Sequence, residues 1–218
     1  MKHLFFDFDG TIADSQRGIV DGIHHMIEAS GLAPLDEATY LTFIGPSLTQ
    51  SLHRYYPDLG DAAVRAAIRH YQDFYLDEGI FELEVYPGVT TALADLREAG
   101  YQINIASAKP EPMLAKILPH FDLSDYFDGV YGATIDESIR STKAAVLAYA
   151  LENAEALPED SLMIGDRDND MLGGAQNGTK TLGVLYGFGD AAELMNAGAD
   201  AVIERPDELP GGVHKLLG

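Results

Sequence analysis

The sequence predicts an α/β fold: a parallel β-sheet with helices on both faces, carrying an all-helical segment inserted after the first strand. Three observations predict it. Short apolar segments of strand length recur along the chain, helical patterns separate most of them, and one stretch, residues 15–80, breaks the alternation with helices alone.

Residues 3–8 (HLFFDF) read as a short buried strand, apolar and ending in acid. Residues 15–29, 36–42, 47–56 and 61–78 read as helices, punctuated by Gly31, Pro34, Gly45-Pro46 and Pro57. A helix over 88–99 carries Val89, Leu93 and Leu96 on one face, and the strand 102–106 (QINIA) follows. A helix over 111–120 carries Met113, Leu114, Ile117 and Leu118, ahead of the strand 129–133 (GVYGA). A helix over 142–152 carries Ala145, Val146, Tyr149 and Ala150. Strands at 161–165, 181–185 and 200–203 complete the set. The expected division is a discontinuous core, 1–14 with 82–218, and a helical insert, 15–81. An insert at the carboxyl end of a strand lies over the crevice where open α/β sheets bind ligands.

Composition narrows the function. The 218 residues are 46% hydrophobic and 22% charged, ordinary values for a globular chain. No apolar run approaches the ~20 residues that span a bilayer. The first residues do not read as a signal peptide, because Asp7 and Asp9 interrupt the apolar stretch, so a cytoplasmic location is the default expectation. There is no cysteine, which excludes disulfides, thiolate metal sites and a cysteine nucleophile. A net charge of -21 disfavours nucleic acid and anionic membranes as partners. It repels phosphorylated substrates too, so a phosphate site must supply its own local cations. Lysines stand only at positions 2, 109, 116, 143, 180 and 215, and each is informative for that reason.

Four segments carry chemistry. In Asp7-Phe8-Asp9-Gly10-Thr11, two carboxylates two apart on an extended segment project to one side, and Gly10 permits a sharp turn. Ser107 follows a strand, and Pro110 suits the first turn of a helix. A hydroxyl with free amides there makes a phosphate site, and by itself it reads equally as a plain helix N-cap. In Ser141-Thr142-Lys143, Ser141 reads as the N-cap, which puts a cation in a first helical turn where the dipole disfavours it. A nearby anion would explain that placement. In Gly165-Asp166-Arg167-Asp168-Asn169-Asp170, Asp166 ends a strand and Asp170 lies one turn on. Strand ends of an open parallel sheet converge, so acids at 7, 9, 166 and 170 would form a hard-oxygen site suited to Mg²⁺.

These four segments, in this order and spacing, resemble the signature motifs of the haloacid dehalogenase superfamily of phosphatases, over essentially the whole chain. The closest likeness is to its phosphoglycolate phosphatase-like and 5′-nucleotidase-like branch, through Arg140–Lys143, Ile164–Arg167 and Gly183–Gly187. Ala108 departs from the Ser or Asn common in relatives, a small change where the backbone amide binds phosphate. The resemblance implies a Rossmann-like core with a helical cap. It implies that Asp7 is the nucleophile and Asp9 the general acid and then base. It implies that Mg²⁺ is held by the Asp7 and Asp166 side chains and the Asp9 carbonyl, with indirect support from Asp170. Ser107, the Ala108 amide, Lys143 and the amides of Gly10 and Thr11 would hold the phosphate oxygens. In the cap, Gly45, Ser47, His53 and Arg54 are candidate substrate contacts, whereas Tyr71 and Tyr75 read as internal packing. The implied partner is a small phosphorylated metabolite, and the implied assembly is a monomer or homodimer. Phosphoglycolate, nucleoside monophosphates, sugar phosphates and pyrophosphate all remain open as substrates. Asp9 argues against a dehalogenase, and the lack of lysine between Lys2 and Lys109 against a Schiff-base phosphonate hydrolase. A receiver-type signalling domain shares the residue types, but it places its phosphoacceptor near the third strand and has no helical insert of this size.

Overall fold

The computed structural model describes residues 1–77, 79–136 and 138–218. Six strands form one sheet in the order β5-β4-β1-β6-β7-β8: β1 (His3–Phe6), β4 (Gln102–Pro110), β5 (Gly129–Ala133), β6 (Ser161–Gly165), β7 (Lys180–Val184) and β8 (Ala201–Ile203). Every neighbouring pair is parallel. The strand order reverses at β1, which is flanked by β4 and β6, so the crevice outside its carboxyl end is the place where such sheets bind ligands.

The sheet is covered on both faces because alternate side chains point to opposite sides. Leu4, Phe6, Ile103, Ile105, Leu162 and Ile164 pack on one face. They meet α5 (Val89–Glu98), α6 (Glu111–His120) and α10 (Leu209–Leu217) through Leu93, Ile117 and Val213. Phe5, Ala106 and Met163 point the other way, into Val146, Leu147 and Ala150 of α7 (Lys143–Asn153). α8 (Asp168–Asn177) lies next to α7, and α9 (Ala191–Asn196) packs Leu194 against Met171 of α8. Phe5 is fully buried, a contribution of about 1.5–3 kcal/mol for a side chain of its size.

The segment between β1 and β4 holds α1 (Gln16–Ala29), α2 (Glu37–Leu41), α3 (Leu48–Tyr55) and α4 (Asp61–Tyr75). α1 buries Ile19, Ile23, Met26 and Ile27, and α4 buries Val64, Ala67, Ile68 and Tyr71, both at helical spacing. Asp36 and Ser47 cap α2 and α3 by accepting from the Thr39 and Gln50 amides. The fourth helix ends at Tyr75; position 78, where the sequence places its end, lies outside the described residues.

Four features differ from expectation. β4 runs on through Ser107 to Pro110, so Ser107 lies within the strand and Pro110 precedes α6 instead of standing in its first turn. β1 stops at Phe6, because the chain turns back at once: the Ile12 and Ala13 amides both donate to the Phe8 carbonyl. A two-stranded antiparallel ribbon, β2 (Ala13–Asp14) with β3 (Glu84–Val85), joins the entry and exit of the helical segment. α7 takes Thr142 as its N-cap, its hydroxyl accepting from the Ala145 amide, so Ser141 stands one residue outside. No described helix is long and apolar enough to cross a membrane.

Candidate active site

Sheet register brings the chemistry together. Phe6 lies opposite Ile105 on one side and Ile164 on the other. Asp7 and Asp166 therefore leave the sheet beside Ser107, which lies within β4 opposite Gly132, and the Asp7 amide still donates to the Ile164 carbonyl at 2.8 Å. Carboxylate oxygens of Asp7, Asp166 and Asp170 lie within 4.8 Å of one another. The Lys143 ammonium sits among them, 2.7 Å from Asp7 Oδ1 and 2.9 Å from Asp170 Oδ1. All four side chains are buried. A cation in the first turn of α7 thus stands where the sequence expects an anion beside it.

Backbone conformation makes room for the acids. Gly10 has φ +80, and a Cβ there would stand 2.1 Å from Asp166 Oδ2. A Cβ at Gly165 would come equally close to Asp170 Oδ2. No side chain fits either place. The carboxylates are held by fixed donors: Phe8 N to Asp7 at 2.7 Å, Phe188 N to Asp166 at 2.8 Å, and Arg167 N to Asp170 at 3.1 Å.

The electrostatics are unbalanced. Full ionisation of the three carboxylates against one ammonium would leave two negative charges uncompensated. Burial, and then the like charges of Asp170 and Asp7, push the Asp166 carboxyl well above the usual range. Burial pushes Asp170 up to about 6 against the opposing pull of Lys143, with Asp7 adding to the rise. Burial alone would lower Lys143, but Asp170 and Asp7 outweigh it and hold the ammonium charged. An all-oxygen, buried donor set with more acids than cations fits a hard divalent cation such as Mg²⁺.

Asp9 has a separate environment. Its carboxylate takes both oxygens to Lys109 Nζ, at 2.8 and 2.9 Å, and accepts from the Ser15 hydroxyl at 2.6 Å. Lys109 is buried between this pair and the rings of Phe8 and Tyr75, whose centroids lie 5.8 and 5.1 Å from the ammonium. Sequence reasoning singled out neither Lys109 nor Ser15 for the site. The available signal for Lys109 was its rarity in so acidic a chain, two residues after the expected phosphate-binding serine.

The other expected residues divide. Ser107 and Ala108 line the cavity that opens onto Asp7 and Asp9, and so do Gly45 and Ser47 from the loop ahead of α3. The Ser47 hydroxyl is also the α3 cap. The Gly10 and Thr11 amides, expected to face a phosphate, turn inward instead, donating to the Ala13 and Phe8 carbonyls at 2.8 and 3.3 Å. The Thr11 hydroxyl faces Asp166 Oδ1 at 3.4 Å. His53 pairs with Asp61 at 3.7 Å, and Arg54 lies over the Tyr55 ring, 5.3 Å from its centroid; neither lines the cavity. Tyr71 and Tyr75 stack at 4.9 Å, as the packing reading expects, and both also line the cavity. Arg167 bridges core and insert, donating from Nη1 to the Ile44 carbonyl at 2.6 Å and from Nε to Glu193 at 2.8 Å.

Comparison with known proteins agrees with this fold. The family profile of the haloacid dehalogenase-like hydrolases matches residues 4–184. The tyrosine-protein kinase PtkA of Mycobacterium tuberculosis is 38% identical over 86% of this chain, and the match spans 63% of PtkA. A 5′-nucleotidase of Pseudomonas aeruginosa is 32% identical over 88% of this chain and 86% of its own length. The crystal structure of a predicted phosphatase from Clostridium acetobutylicum superposes with a TM-score of 0.94 at 35% identity, over 99% of both chains.

Proposed function

Because this chain belongs to the haloacid dehalogenase-like hydrolase family, we propose that it is a Mg²⁺-dependent phosphatase that hydrolyses a small phosphate monoester through an aspartyl-phosphate on Asp7. The observation that carries the proposal is the ion-paired cluster of Asp7, Lys143 and Asp170 at the ends of β1, α7 and α8, with the Asp9–Lys109 pair beside it.

In this reading an Asp7 oxygen attacks phosphorus in line as the bond to the leaving oxygen breaks, and Asp9 gives that oxygen its proton. Asp9 then takes a proton from water, which attacks the same phosphorus and frees Asp7. Lys143 and the Ser107 hydroxyl hold the equatorial oxygens, where charge collects. The Ala108 amide adds to them. The inward-turned Gly10 and Thr11 amides leave Gly10 the steric role of admitting Asp166. Asp7 and Asp166 by side chain and Asp9 by its carbonyl would hold the metal, with Asp170 orienting Lys143 and the cluster. Bound Mg²⁺ would offset the excess negative charge of the carboxylates and of the transferring phosphoryl group. Residues 15–81 act as a cap on a core of 1–14 and 82–218, and Arg167 latches the loop at Ile44 over the site.

Phosphate release from a panel of small monoesters tests this. Release is expected with Mg²⁺ and not with chelator. Mg²⁺ at about 100 times its dissociation constant should stabilise the fold by about 2.7 kcal/mol. For a chain of this size that raises Tm by roughly 5–10 °C. Chelator-resistant activity with an unchanged Tm would remove the metal from the account.

Lys109 acts here as a positioning residue that aims the Asp9 carboxylate at the leaving oxygen. Lys109→Met should lower kcat for alkyl phosphates by about 10–100-fold, a part of what general acid catalysis supplies. Aryl phosphates, whose leaving oxygens need less protonation, should suffer much less. An equal loss on both classes would mean that Lys109 serves only the fold.

A further inference from the structure

Resting on the phosphatase reading, we propose that the substrate is a monophosphate ester of an uncharged, apolar or aromatic alcohol, and that the site discriminates against leaving groups bearing a carboxylate or a second phosphate. The leaving oxygen must meet Asp9, so the leaving group occupies whichever space Asp9 faces. Asp9 lines the cavity beneath α4 and the Phe43–Leu48 loop, and is absent from the neighbouring cavity lined by Lys143, Ser141 and Gln50.

The walls of the Asp9 cavity are apolar and aromatic: Ile19, Phe43, Ile44, Tyr71, Tyr75 and Met113. Lys109 is the only lysine, arginine or histidine among the described residues that lines it, and the two residues outside the described set, Glu78 and Glu137, add no cation. The Lys109 ammonium is already engaged by both Asp9 oxygens, at 2.8 and 2.9 Å. A carboxylate or phosphate on the leaving group would therefore enter a low-dielectric space whose one ammonium is committed to positioning Asp9. The basic groups that could have served, His53 and Arg54, lie on the exposed side of α3. Flat rings and aliphatic edges suit an uncharged ring or hydrocarbon body instead, since a ring packs face or edge against Tyr71, Tyr75 and Phe43.

The test compares benzyl phosphate and isobutyl phosphate with phosphoglycolate and pyrophosphate, all with Mg²⁺. Isobutyl phosphate replaces the carboxylate of phosphoglycolate by an uncharged group of the same shape. The expected result is a kcat/KM for the two uncharged esters about 100-fold or more above that for phosphoglycolate, since an unpaired buried charge is disfavoured on that scale. Gln72 and Ile135 line the same cavity, and Ile135 is 36% exposed. Gln72→Arg, and independently Ile135→Lys, should raise kcat/KM for phosphoglycolate about tenfold or more by supplying the missing cation. Calorimetry of the Mg²⁺-loaded wild-type protein with benzylphosphonate and phosphonoacetate reads the same preference without turnover. Phosphoglycolate turned over as well as isobutyl phosphate, or phosphonoacetate bound as tightly as benzylphosphonate, overturns the proposal. If no ester releases phosphate, the phosphatase reading fails by itself. The substrate claim falls with it, and the calorimetric preference decides the cavity's discrimination against charged groups, which stands if benzylphosphonate binds tighter and is overturned at parity.

Discussion

Lys143→Met is expected to destabilise the protein by about 3–5 kcal/mol in chelator, the range seen when one partner of a buried ion pair is removed. The substitution keeps an unbranched apolar stem and deletes the ammonium, with its ion pairs and its hydrogen bond to the Ala106 carbonyl. Asp7 and Asp170 would lose the ammonium now 2.7 and 2.9 Å away, and three buried carboxylates would face one another alone. At roughly 2–4 °C per kcal/mol for a chain of this length, Tm should fall by about 6–20 °C. The sign of the pH dependence follows from the raised carboxyls. Asp170 folded titrates near 6 and unfolded near the ordinary 3.8, so the folded protein holds more protons between these values. Stability in chelator should accordingly decline as pH rises from about 4 to 6, and the deficit of Lys143→Met should narrow as pH falls. Mg²⁺ should recover part of the stability and little of the activity, because the phosphate oxygens lose their cation; kcat should stay down by about 10²–10³-fold. Thermal denaturation across pH, with chelator and with Mg²⁺, checks each part. A variant as stable as wild type would mean that the acids are neutralised some other way.

Asp7→Asn should abolish turnover, with kcat reduced by at least about 10⁴-fold, because a neutral amide is not a competent nucleophile. The fold should survive. Asn keeps the shape, still accepts from the Phe8 amide through its oxygen, and removes one acid from the cluster. In chelator the variant should therefore be no less stable than wild type. Loss of activity with an intact or raised Tm separates a chemical role from a structural one.

Much of this architecture was legible because it is periodic. The six sheet strands alternate with helices, and their apolar positions announce both faces of the sheet. Asp7, Lys143 and Asp166 each follow a strand or open a helix, and Ser107 lies near the carboxyl end of β4, so an open parallel sheet brings them together without further information. What was not legible depends on contacts between distant segments. Lys109 looks like an ordinary residue after a serine until the fold places it against Asp9, 100 positions away. The Gly10 amide appears free in sequence, and only the tight return to Ala13 shows where it goes. β2 and β3 have two residues each, too few for a period. The last helix, α10, begins Leu-Pro-Gly-Gly, against helix propensity, and packs through Leu209, Val213 and Leu217. His53 and Arg54 showed the opposite failure: the right chemistry on the wrong face of α3.

The central claim is that Asp7 itself carries the phosphoryl group. The most direct measurement is acid quenching during turnover of a small monoester with Mg²⁺, followed by peptide mapping by mass spectrometry. The account predicts a phosphoryl group on the peptide containing Asp7, labile to base, and absent from Asp7→Asn. Steady turnover by wild-type protein with that peptide never modified, or turnover retained by Asp7→Asn, would contradict it.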